Sequence, residues 1–67
     1  MQNIKEIAKN MREPKMKDIR ALSHIENAEE KEIELISNLT GISKDELDEL
    51  TFKEYKILQI KLSNFLS

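Results

Sequence analysis

The sequence predicts an all-α fold, a small bundle of four to five short helices joined by tight, capped corners. Three observations carry that prediction. Apolar residues recur at spacings of three and four along most of the chain. Two helix starts of the same form follow one another between Ile42 and Tyr55. A single Gly and a single Pro leave little material for solvated linkers, although 36% of the residues are charged and only three are aromatic.

Residues 1–11, MQNIKEIAKNM, space Ile4, Ile7, Ala8 and Met11 as a helical stripe. No cap defines its start, so the stretch is expected to fray or to depend on a partner, and an extended segment is the alternative. Pro14 disfavours helix at Glu13 and suits a helix beginning just after it. Met16, Ile19, Leu22 and Ile25 then recur every third residue, which predicts a helix of about ten residues. Asn27 with Glu30 forms a weak cap for the next helix. That helix carries Ala28, Ile33, Leu35, Ile36 and Leu39 on a broad face and stops at Gly41, a residue able to take the left-handed conformation.

The corner beyond Gly41 is specified most firmly. Ser43 is followed three positions later by Glu46, and Thr51 by Glu54. Each pair is a capping box, in which the hydroxyl takes the N3 amide and the Glu reaches back. Ile42 with Leu47, and Leu50 with Tyr55, add a hydrophobic staple to each box. So small a core needs its angles set locally. The last helix, Thr51 to about Leu66, then shows one apolar stripe of Phe52, Tyr55, Leu58, Leu62, Phe65 and Leu66 at about 100° per residue. Ile57 and Ile60 fall on the opposite side among Lys53, Lys56 and Asn64. Either the N-terminal helix covers them or they face a partner.

Residues 1–67 are expected to form one domain near the lower limit for a self-sufficient core, which often holds only about 3–5 kcal/mol. The chain has no Cys, which removes disulfides and thiol chemistry and fits a reducing compartment. With no apolar run near the length of a membrane span and no secretory pattern after Met1, a soluble cytoplasmic protein is expected. The net charge of −2 is unevenly spread. Residues 1–20 hold six Lys/Arg against three Asp/Glu, residues 21–50 two against nine, and residues 51–67 three against one.

Nothing in the sequence supports catalysis or a cofactor. His24 is the lone histidine, and there is no Gly-rich phosphate loop, HExxH or DxDxDG pattern. The carboxylates of KDELDEL, Asp45, Glu46, Asp48 and Glu49, read as a solvated helix face rather than a metal site. A helix-turn-helix DNA reader shares the outline of helix, Gly turn and short helix. Its reading helix would be acidic here, the wrong sign for phosphate, so nucleic acid is not the expected partner.

Two motifs carry a resemblance. Arg12, Glu13 and Pro14 precede a short helix with Asp18 to Leu22 (REP, then DIRAL), and LTGIS..ELDELTFKEY.ILQ....FL spans Leu39 to Leu66. Both resemble the tail assembly chaperones of Mu-like and P2-like contractile-tailed phages and prophages. In that family a REPT-like start, an acidic variable stretch, LTGLSPEELDxL and DYxxLQxxxxxFL come in this order. The family's Asp-Tyr reads Glu54-Tyr55 here. Arg12, Glu13, Pro14, Asp18, Gly41 and Tyr55 are thus family-motif positions; Ser43, Glu46, Thr51 and Glu54 are structural caps. Family members usually carry a longer, extended segment ahead of the REP motif. Here eleven residues precede Arg12, and a wholly helical chain is expected.

The resemblance implies a non-enzymatic protein that binds the helical tape-measure protein and keeps it soluble while the tail assembles in the bacterial cytoplasm. It also implies a partner in a frameshifted longer form of the chain itself, and leaves a homo-oligomer open. Apolar anchors Ile57 and Ile60, rimmed by Lys53 and Lys56, are the expected partner-binding residues from periodicity alone. A generic helical adaptor, including a dimer through the last helix, is the alternative, with a DNA-binding regulator behind it.

Overall fold

The computed structural model describes residues 3–66; Met1, Gln2 and Ser67, which the expected single domain includes, lie outside the described residues. Those residues form five α-helices and no strand: α1 (Ile4–Asn10), α2 (Met16–Arg20), α3 (Ala28–Thr40), α4 (Lys44–Asp48) and α5 (Phe52–Leu66). The first helix does have a cap. The Asn3 side chain accepts from the Lys5 amide at 2.8 Å, taking one of the donors that a helix start leaves unpaired.

The helix expected after Pro14 is shorter than its stripe suggested. α2 ends at Arg20, and the chain continues as turns closed by three-residue bonds, Leu22 N to Ile19 O, Ser23 N to Arg20 O and Ile25 N to Leu22 O. A strict period of three drifts around an α-helix by about 60° per step, so the four residues cannot share one face. Met16 is 71% exposed and Ile19 also faces outward, while Leu22 is buried. The single buried residue of α2 is the charged Asp18.

Asn27 starts α3 as expected, accepting from the Glu30 amide at 3.1 Å. Leu35, Ile36 and Leu39 are buried, but Ala28, in the first turn, is exposed. Gly41 ends the helix with φ 78° and donates its amide to Ser37 O. The Ser37 hydroxyl donates to Ile42 O at 2.6 Å and the Thr40 hydroxyl to Ile36 O at 2.7 Å, so carbonyls at and just beyond the helix end find donors. The second capping box is complete: Glu54 N donates to Thr51 Oγ1 (3.2 Å) and Thr51 N to Glu54 Oε1 (3.0 Å). In the first, Glu46 N donates to Ser43 Oγ (3.2 Å) while the Glu46 carboxylate returns to the Ser43 hydroxyl (3.3 Å) rather than to its amide.

α3 is the hub. α1, α2 and α4 all pack against it, and α1 also packs along α5. Ile36 of α3 and Leu58 of α5 are fully buried, ringed by Ile7, Met11, Leu22, Leu39, Leu47 and Leu62. Burying one such aliphatic side chain is worth about 1.5–3 kcal/mol, comparable to the whole net stability of a domain this size. The α5 stripe is narrower than the sequence suggested: Phe52 is 75% and Leu66 57% exposed. Phe52 lies about 120° around the helix from Leu58, and Leu66 is the last residue of α5.

Candidate functional site

The REP motif builds a corner. Arg12 Nη1 and Nη2 donate to the two carboxylate oxygens of Asp18 at 2.8 and 2.7 Å. Asp18 also accepts from the Lys15 amide at 2.8 Å, capping α2 from within. Pro14, at the middle of this loop, holds the chain out of helix between the two partners. The Arg12 amide donates to Leu39 O at 3.2 Å, near the end of α3. The motif therefore fastens α2 to the hub. The hydrogen bonds from Arg12, then from the Lys15 amide, hold the Asp18 carboxyl well below the usual carboxylate range, and the same pair raises Arg12. Glu13 is exposed.

The second motif positions α5. Tyr55 donates its hydroxyl to Glu32 Oε1 at 2.7 Å, and Gln59 Nε2 donates to the same oxygen at 3.0 Å. One α3 carboxylate thus holds two successive turns of α5. Burial first, then the hydrogen bond to Glu32, pushes the Tyr55 hydroxyl above its ordinary range. Across the other side of α3, Lys44 Nζ pairs with Glu34 at 3.3 Å and ties down α4.

Fixed in this way, α5 turns Leu58 and Leu62 inward and Ile57 and Ile60 outward. α1 does not cover them: Ile60 is 60% and Ile57 36% exposed. Lys53 and Lys56 are exposed beside them. Phe52 joins the same side, with the Lys56 ammonium 5.7 Å from its ring centroid, a spacing that permits cation–π attraction. Phe52, Lys56 and Ile60 form one row along the helix at intervals of four. The open side of α5 thus mixes the exposed apolar side chains of Phe52, Ile57 and Ile60 with exposed Lys53 and Lys56. Asp45, Glu46 and Asp48 of α4, Glu49 at its C-cap, and His24 are all exposed to solvent.

Periodicity put Ile57 and Ile60 opposite the core among Lys53 and Lys56, and all four are exposed, but it placed Phe52 in the core. Centring the stripe on Leu58 and Leu62 would have put Phe52 outside. Asn3 had a readable signal, since Asn directly before an apolar periodic run is a favoured cap. Glu32 had none, because its partners lie 23 and 27 residues away.

The described residues thus form a five-helix bundle whose last helix leaves apolar side chains open. Residues 4–67 match the family described as phage tail assembly chaperone proteins, E, or 41 or 14, and the chain belongs to that family. Partners of such a chaperone are proteins. The match begins at Ile4, ahead of the motif region from Arg12 to Leu66, so it includes α1. No curated protein and no solved structure matches the chain. Among the described residues, no helix is long and apolar enough to cross a membrane.

Proposed function

We propose that this chaperone is non-enzymatic, binds amphipathic helical segments of the tail tape-measure protein through the open side of α5, and keeps that client in solution in the cytoplasm of the bacterial host. The observation that carries the reading is the exposure of Ile57 and Ile60 on the helix whose opposite side is the core. Apolar side chains at helical spacing on a rigid support accept the apolar stripe of another helix. Lys53 and Lys56 on the rim favour client segments with acidic flanks and keep the surface hydrated when empty.

A long client with many apolar stripes aggregates unless each stripe is covered. A bundle of 67 residues can cover one short segment, so several copies per client are expected. The test is co-expression with the tape-measure protein of the same phage or prophage, scoring client solubility and co-purification. Client that becomes soluble and carries this chain with it supports the reading. A folded, well-expressed chain that leaves the client insoluble and unbound contradicts it.

A further inference from the structure

We infer that the outer face of α2 is a second contact for the client, one that takes a helical segment whose apolar stripe is flanked by Asp or Glu. The inference takes its client from the proposed function but uses no residue of α5. α2 adds no apolar side chain to the core: Met16 and Ile19 are exposed, and Asp18 is the single buried residue. Leu22, the next buried residue, comes after the helix has ended. Yet this short helix is fixed firmly, by the Arg12 fork on both Asp18 oxygens and by the Lys15 amide on one of them. A buried ion pair adds little net stability, because desolvation offsets most of its attraction. What the pair secures is the orientation of the side chains opposite Asp18.

Those side chains form a mixed face. At about 100° per residue, Asp18 lies about 160° around the helix from Met16, whereas Arg20 and Ile19 stand within about 60° of it and Lys17 within about 100°. Lys17 and Arg20, with Ala21 and Ser23, line a shallow depression of about 470 Å³ that has no Asp or Glu in its lining. Arg12 is engaged by Asp18, but neither Lys17 nor Arg20 enters an ion pair among the described residues. Two exposed apolar side chains thus stand beside two cations outside any ion pair. The cations call for carboxylates or phosphates, and Met16 and Ile19 call for apolar cover, which a nucleic-acid backbone does not supply. An amphipathic helix with acidic residues one turn apart supplies both. So small a contact is weak alone. A long client held at α2 and at α5 of one bundle gains from effective concentration what each contact lacks.

The experiment is an array of short overlapping peptides tiling the tape-measure protein of the same phage or prophage. It is probed with the full chain and with variants whose helical content is checked by circular dichroism. Wild type should capture two sets of segments. One set, acidic and amphipathic, should lose capture by about tenfold or more with Met16→Asp, and likewise with Lys17→Gln plus Arg20→Gln, yet keep it with Ile57→Asp plus Ile60→Asp. The other set should show the reverse. Capture that depends on Ile57 and Ile60 alone overturns the inference and leaves the proposed function standing, and capture that depends on α2 alone does the opposite. A chain that captures no segment overturns both. Duplex DNA bound through Lys17 and Arg20 in place of acidic peptide overturns the inference.

Discussion

Arg12 and Asp18 face each other across Pro14, with both guanidinium nitrogens on both carboxylate oxygens at 2.7 and 2.8 Å. Asp18 is 6% exposed, the one buried charged residue among those described; both its oxygens accept from Arg12, and one accepts from the Lys15 amide as well. This pair is where the REP motif and the short helix after it become one structural device. It explains why the motif combines a fork-shaped cation, a proline and a carboxylate six positions on.

The pair makes folding sensitive to acid. The folded-state pKa of Asp18 is depressed, so its stabilisation is complete above the unfolded value of about 3.9 and fades as pH falls below it toward the folded value. Thermal melts of the wild type should therefore lose stability on acidification below about pH 4 more steeply than melts of Asp18→Asn. Arg12→Lys should keep the charge but lose the fork, and melt below the wild type at neutral pH. Identical acid slopes for wild type and Asp18→Asn would show that the pair does not contribute.

Tyr55 is the only tyrosine, so its ionisation can be followed by ultraviolet absorbance. With its pKa raised in the fold, the neutral form is favoured, and its contribution persists below the unfolded value of about 10. That contribution is lost as pH rises toward the folded value. Titration should show no ionisation near pH 10 in folded protein and a normal value of about 10 in denaturant. Tyr55→Phe should cost about 1–2 kcal/mol, since Glu32 keeps its bond from Gln59. A normal titration in the folded chain would mean that the Glu32 contact does not form in solution.

Gly41 offers a test with little steric interference. A Cβ there would meet nothing within 4 Å, yet the residue has φ 78°. Gly41→Ala should therefore cost about 1–2 kcal/mol from the backbone conformation alone, and Gly41→Asn less, because Asn tolerates the left-handed region better. Urea unfolding would measure both. Equal losses for Ala and Asn would point to something other than backbone conformation at this corner.

The corner from Gly41 to Tyr55 was legible in the sequence because every signal there is local: a Gly stop, two hydroxyl–Glu pairs and two staples. The fully buried Ile36 and Leu58 were legible from period alone. The Met16–Ile25 stripe misled because spacing by threes matches a three-residue bonding pattern and not an α-helical face. Phe52 misled because an aromatic residue beside a periodic run reads as core until the run is centred. Glu32 acts on residues 23 and 27 positions away, which no window of sequence reports, and the Asp18 pairing with Arg12 across Pro14 follows no helical period. For the open row on α5, periodicity located Ile57 and Ile60 opposite the core, but only the packing of α1 against α5 decides that they stay uncovered.

One double variant separates an open α5 row that holds the client from one that does not. Ile57→Asp with Ile60→Asp places two charges on exposed positions, so circular dichroism and thermal melting should stay close to wild type. Co-expressed with the tape-measure protein, the double variant should leave the client in the insoluble fraction and fail to co-purify, whereas the wild type solubilises it. A folded double variant that still solubilises and retains the client would contradict the account and move the binding surface elsewhere on the bundle.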